Sequence, residues 1–232
     1  MKAETLFLAL LISKWLSMSN RILYGYWRSS AAYRVRIALN LKGLDYQQRS
    51  IHLLKNGGEQ HSTDFQSLNP NQLVPVLVDS DIKLNQSLAI IDYLDETYSD
   101  VLLTPNDREV RYLVKAMAQD IAVDIHPLNN LRVLQYLSDT LNVSEDDKAL
   151  WYANWVAKGF DALEQRLKLT RGTYCVGNDV TLVDVCLVPQ VYNAKRFNVD
   201  LTAYPNIMQV TTSLNELDEF QQAAPEAQPD AL

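Results

Sequence analysis

Residues 21–51, RILYGYWRSSAAYRVRIALNLKGLDYQQRSI, decide the fold. Arg21 to Tyr26 is a short β-prone run bounded by turn residues and reads as a strand. Ser29 or Ser30 then caps a helix. Behind them Tyr33, Val35, Ile37, Ala38 and Leu41 recur with helical spacing among Arg34, Arg36 and Lys42, and Gly43 ends the run. Tyr46 to Ile51 alternates as a second strand, parallel to the first if the helix is a crossover.

Leu73 to Val78, interrupted by Pro75, and Ile82 to Leu84 read as a strand pair turning at Asp79-Ser80-Asp81. Ser87 opens a helix with Leu88, Ile90, Ile91 and Leu94 on its apolar face. The order is βαβ followed by ββα. Beyond Tyr98 the texture changes. Residues 99–107 read as a linker, and Pro105 favours a helix start close behind it. Arg108 to Leu137, Asp146 to Leu169 and Asp184 to Phe197 carry apolar residues at three-to-four spacing, and Thr181-Leu-Val-Asp184 fits a capping box. The fold class expected is a small α/β domain over residues 20–98, then an all-helical domain over 108–222, with 223–232 a flexible tail.

The start of the chain stands apart. Leu6 to Ile12 is an apolar run of seven residues with Lys2 ahead of it, far short of a spanning helix and without an A-x-A-like cleavage site behind it. Residues 1–17 are therefore expected to be an extension outside the fold, and no membrane span is expected. Cys175 and Cys186 have ten residues between them and no metal-ligand spacing, and His52, His61 and His126 are scattered. Two reduced core thiols in a cytoplasmic protein are the expectation, with no metal.

The 232 residues carry a net charge of −7, with 47% apolar and 21% charged residues, which excludes a disordered or collagen-like chain. No overall basic excess marks a nucleic-acid partner. The charge is uneven, however. Residues 20–60 hold seven Lys and Arg against two Asp and Glu, while residues 61–232 hold twelve against twenty-five. A basic segment in an acidic chain points to a small anionic ligand near the N-terminal part.

Three short segments carry chemistry. In Arg28-Ser-Ser-Ala-Ala-Tyr-Arg-Val-Arg36, hydroxyls at a helix N-terminus make an anion site and can lower a thiol pKa by donating to a thiolate. The same serines also serve as a plain cap beside solvated arginines. In Asn71-Gln-Leu-Val-Pro75-Val, a cis Val74–Pro75 bond would open the Val74 backbone to a peptide-like ligand, whereas an edge proline needs none. In Asn85-Gln86-Ser87, the Gln86 amide can hold a carboxylate beside a Ser87 cap.

Together these segments resemble the glutathione transferase superfamily. The further strings Tyr26-Trp-Arg-Ser-Ser, Arg34-Val-Arg-Ile-Ala-Leu, Phe65-Gln-Ser-Leu-Asn-Pro, Asn85-Gln-Ser-Leu-Ala-Ile-Ile, Tyr174-Cys-Val-Gly and Asn193-Ala-Lys-Arg-Phe are similar to its zeta class, the maleylacetoacetate isomerases. The resemblance covers about residues 20–220 and implies a thioredoxin-like first half, glutathione as cofactor and a homodimer. Residue by residue it implies that Ser29 faces the glutathione sulfur with Ser30 beside it, within a helix start formed by Ala31, Ala32, Tyr33 and Arg34. Gln60 would bind the glycyl end, the Val74 backbone the cysteinyl unit, and Gln86 and Ser87 the γ-glutamyl carboxylate. His126, Asn130, Leu131 and Arg132 would line the site from the helical half. Arg196 would meet a carboxylate of a small dicarboxylate substrate, with Arg34 a second cation.

The implied reaction is reversible addition of the glutathione thiolate to the cis double bond of maleylacetoacetate, in tyrosine and phenylalanine breakdown. Maleylpyruvate isomerisation, glutathione conjugation and a non-catalytic glutathione-binding stress protein are the alternatives. Two positions depart from the family pattern. Ala31 stands where the motif often has cysteine, and His126 stands where glutamine is common, so His126 either binds as an amide would or titrates near pH 6–7.

Overall fold

The computed structural model describes residues 21–231, so the expectation for residues 1–17 lies outside the described residues. Strand β1 (Arg21–Gly25) alternates buried and half-buried side chains. It pairs in parallel with β2 (Gln47–Ser50) after the crossover helix α1 (Ser30–Leu41). Helix α2 (Thr63–Leu68) follows, with Ser62 accepting from the Phe65 N–H; its brevity left no periodicity to read. Strand β3 (Val76–Asp79) runs antiparallel to β1 and to β4 (Ile82–Asn85), so the sheet order is β2-β1-β3-β4. β3 begins only after Pro75, which has no N–H for a ladder. Helix α3 (Ser87–Thr97) closes this half.

All later elements are helical: α4 (Arg108–Gln119), α5 (Leu131–Asp139), α6 (Glu145–Thr170), α7 (Leu182–Arg196), α8 (Pro205–Asn215) and α9 (Asp218–Ala223). The stretch read as helical from Arg108 to Leu137 is broken. A π-type turn spans Asp120–Ile125, a 3-10 turn spans His126–Asn129, and α5 restarts under an Asn130 cap. Pro127 has no N–H and cannot continue the ladder.

The halves share one core. α1 lies against α3, α7 and α9, and buried Ile37, Leu39, Leu94, Leu103, Val183 and Leu187 belong to a single apolar cluster. At the linker, Asp95 accepts the N–H groups of Leu103 and Thr104, and buried Lys42 meets Asp95 at 2.8 Å. The Thr181 cap expected from the sequence is present. Asp184 is fully buried and accepts from the N–H groups of Thr181 and Cys175.

Residues 223–231 are not a free tail. Ala223 and Pro225 are buried, and Arg36 Nε donates to the Ala223 carbonyl at 2.9 Å. Asp230 accepts from the Trp27 N–H, Gln48 and Ser50. The segment lacks apolar periodicity, but donors from β2 and α1 hold its carbonyls and carboxylate.

Candidate active site

The end of β1 and the start of α1 place two serines at a cleft between the halves. Ser29 is the α1 cap, and its Oγ accepts from the Ala32 N–H at 3.2 Å. Among the described residues its hydroxyl proton is committed to no acceptor. Ser30 is buried; its Oγ accepts from Asn193 Nδ2 at 2.6 Å and has the Pro189 carbonyl at 3.5 Å. Both serines line a cavity of about 350 Å³. A second cavity of about 290 Å³, lined by Ala31, Arg34, Gln86 and Ser87, joins it through shared walls at Val74, His126, Asn130 and Arg132. Together they are of the size that holds a peptide-sized ligand.

The walls are cationic. Arg28, Arg132 and Arg196 line the first cavity and Arg34 the second, and among the described residues no Asp or Glu lines either. In a chain of net charge −7, that separation of sign defines an anion site. Arg34 is 2% exposed; its Nη1 donates to Ser87 Oγ at 3.2 Å, while Nε and Nη2 have no partner among the described residues. Burial holds its proton affinity below the ordinary arginine value. Gln60 is buried with Oε1 unpartnered, and a side chain at Gly58, whose φ is +104°, would collide with the Gln60 amide. Buried polar atoms left unpaired beside a cavity await ligand atoms. Gln86 sits at φ 69°, a strained conformation for a side chain, which turns α3 so that its start faces the cavity. The Val74–Pro75 peptide is cis, and among the described residues no hydrogen bond reaches the Val74 backbone.

The expected site residues mostly converge. Ser29, Ser30, Gln60, Val74, His126, Asn130, Leu131, Arg132 and Arg196 line the first cavity, and Ala31, Arg34, Gln86 and Ser87 line the second. Ala32 and Tyr33 do not line either. Ala32 is fully buried in α1, and the Tyr33 hydroxyl donates to the Phe220 carbonyl, because those positions face the core side of the helix. The basic segment also needs correction. Arg21 pairs with Asp79, Arg36 with the Trp27 and Ala223 carbonyls, and Lys42 with Asp95. Only Arg28 and Arg34 of that segment reach the cavities, and the helical half supplies Arg132 and Arg196. Asn193 was missed as a site residue, although it sits one helical turn before Arg196.

His126 does not titrate near neutrality. Burial, then the positive Arg34 and Arg132, lower its pKa to about 3. Asn130 Nδ2 lies 3.4 Å from Nε2, which suits a neutral ring accepting there. Below about pH 6.5 the unfolded chain takes up a proton at His126 that the folded chain refuses, so stability is lost as pH falls. Between pH 7.5 and 5.5 the ligand-free protein is expected to lose about 1 kcal/mol more than His126→Gln, a difference of about 2–4 °C in Tm. Equal pH sensitivity of the two proteins in thermal melts would refute the assignment.

A four-stranded mixed sheet followed by a helical half, with a hydroxyl-capped anion site between them, is the arrangement of a glutathione transferase. Residues 23–102 match the model of the glutathione S-transferase N-terminal domain, and residues 153–218 match that of the C-terminal domain. A probable maleylacetoacetate isomerase of Vibrio cholerae is 59% identical, over 92% of this chain and 100% of that protein. A holo maleyl pyruvate isomerase described as a bacterial zeta-class glutathione S-transferase superposes with a TM-score of 0.88 at 46% identity, covering 91% of this chain and 100% of that one. A maleylacetoacetate isomerase of Methylobacterium extorquens, solved with malonate and glutathione bound, gives a TM-score of 0.87 at 38% identity, over 91% and 99%. The chain belongs to the glutathione S-transferase family, in its zeta class.

Proposed function

We propose that the protein is a glutathione-dependent cis–trans isomerase acting on maleylacetoacetate to form fumarylacetoacetate, with accompanying glutathione transferase activity. The observation that carries this reading is the site's chemistry: among the described residues, four arginines and no carboxylate surround an uncommitted serine hydroxyl. Glutathione and a linear diacid each bring two carboxylates, and together they match that count of cations.

Glutathione, when bound, supplies the thiolate that adds reversibly to the substrate double bond. Each residue's part follows from its surroundings. Ser29 holds its hydroxyl proton toward the sulfur position and favours the ionised thiol, as an uncommitted donor at a helix start does. Arg34, with two unpartnered nitrogens, binds the γ-glutamyl carboxylate together with Gln86 and Ser87. The Val74 backbone orients the cysteinyl unit, and Gln60 and Arg132 hold the peptide from the two sides of the cleft. Arg196 and Arg28, at the first cavity, neutralise the substrate carboxylates and steady charge that builds on the adjoining carbonyl during addition. Ala31 brings no second thiol into the site, so no protein sulfur competes for the double bond.

This reading places the enzyme in tyrosine and phenylalanine breakdown, as a cytoplasmic homodimer. Two free buried cysteines support a reducing compartment, and among the described residues no helix is long and apolar enough to cross a membrane. The test follows purified protein with maleylacetoacetate, with and without glutathione. Fumarylacetoacetate should form only when glutathione is present. Maleylpyruvate run in parallel should turn over more slowly; absence of glutathione-dependent product from maleylacetoacetate would refute the assignment.

A further inference from the structure

We propose that Asn193 is a positioning residue that fixes the direction in which the Ser30 hydroxyl donates and holds Arg196 at the cavity. The inference rests on reading the cavity as a glutathione and diacid site. Asn193 and Arg196 are three residues apart on α7 and so share a helix face. Asn193 Oδ1 lies 3.1 Å from Arg196 Nη1. A guanidinium has donors only, so the atom that faces it must be the amide oxygen. The amide NH₂ therefore points the other way, and it reaches Ser30 Oγ at 2.6 Å.

That bond settles how Ser30 is used. Its Oγ accepts the amide N–H on one side, which directs the O–H to donate away from Asn193. The acceptor the protein offers, the Pro189 carbonyl, stands at 3.5 Å, beyond good O–H···O geometry. The proton is thus weakly held in a residue that is 4% exposed and lines the first cavity. An anion in the cavity accepts a hydrogen bond from it readily. The same amide braces Arg196, whose guanidinium also lies over the Phe197 ring at 4.8 Å. One side chain from the helical half thereby sets a donor for the sulfur and a cation for the substrate, the two sites that must be in register for the addition.

Asn193→Asp inverts the polarity with little change of shape. Its carboxylate keeps Arg196 but accepts the Ser30 proton, which turns that hydroxyl away from the cavity and adds negative charge beside it. Thiolate absorbance of bound glutathione, followed against pH, reads the consequence directly. The thiol pKa of bound glutathione should rise by about one unit in Asn193→Asp, and kcat should fall about tenfold or more. Asn193→Ala should give a smaller rise together with a higher KM for the diacid, because Arg196 loses its brace. Should Asn193→Asp not fold, Asn193→Ala carries the same readouts. A wild-type thiol pKa and kcat in a folded variant would overturn the inference alone. Failure of the wild-type protein to bind glutathione would overturn the cavity reading, and this inference with it.

Discussion

Ser29→Ala is expected to lower kcat by about 10²–10³-fold while leaving KM for the diacid within a few-fold. The Ser29 hydroxyl has two jobs, and they can be separated. As the α1 cap its oxygen accepts the Ala32 N–H, and loss of that bond costs about 1 kcal/mol, or a few degrees of Tm. As a donor its proton has no acceptor among the described residues and faces the cavity. Only the second job acts on a thiolate. The variant should therefore stay folded, while the thiol of bound glutathione moves toward the ordinary value of about 8.5. Ser29→Thr keeps both jobs and should recover much of the rate. Ser29→Asn keeps a cap, and its amide donors are placed differently, so it should recover stability more fully than turnover. A Ser29→Ala protein that turns over at the wild-type rate would transfer the role to another donor, with Ser30 the nearest.

The N-terminal half was legible because its signals are local. β1, the cap at Ser29, the Gly43 stop and the β3–β4 turn each lie within a few residues of the element they define. The helical half was less so, for a physical reason. The break at Asp120–Ile125 lies against partners that no local window contains: Ile121 and Ile125 are buried in the shared core, and Asp120 meets Arg166 of α6 at 3.0 Å. Helix α8 starts under Glu164, a buried carboxylate from α6 that accepts the Asn206 and Ile207 N–H groups. Residues 223–231 look like a tail because the groups that hold them, Arg36 and Gln48, stand some 180 residues upstream.

The site shows the same division. Ser29, Gln86 and Ser87 carry their own helix-start chemistry and are readable in place. The clustering of cations in residues 20–60 pointed correctly to an anion but misassigned its holders, since charge counted along the chain says nothing about whether a guanidinium faces a carbonyl, a carboxylate or a cleft. Arg36 is the clearest case: it is 1% exposed, and its donors go to backbone carbonyls on the side of α1 away from the cavities. His126 was open to two readings until its neighbours were known. Burial at the cleft, and then two guanidiniums from different halves of the protein, favour the neutral ring.

Arg34 should show opposite effects on folding and on binding. Its guanidinium is buried, donates once to Ser87 and leaves two nitrogens unsatisfied. Without ligand, the folded protein carries the desolvation cost of this charge, and among the described residues no carboxylate lines the cavity to offset it. Arg34→Met fills nearly the same volume with an apolar chain, so the ligand-free protein is expected to gain about 1–3 kcal/mol of stability, seen as a Tm raised by several degrees. The gain is reversed once a carboxylate is available. A buried, hydrogen-bonded charge pair that loses one member costs about 2–5 kcal/mol, so glutathione affinity should fall roughly 100-fold by calorimetry. The stabilisation that saturating glutathione gives to the wild-type protein should shrink correspondingly in the variant. Arg34→Lys restores the charge without the fork and should recover only part of the affinity, because an ammonium cannot present two parallel N–H donors to a carboxylate. A variant less stable than wild type when ligand-free, yet with unchanged glutathione affinity, would make Arg34 a packing residue and move the γ-glutamyl carboxylate to the α3 start alone.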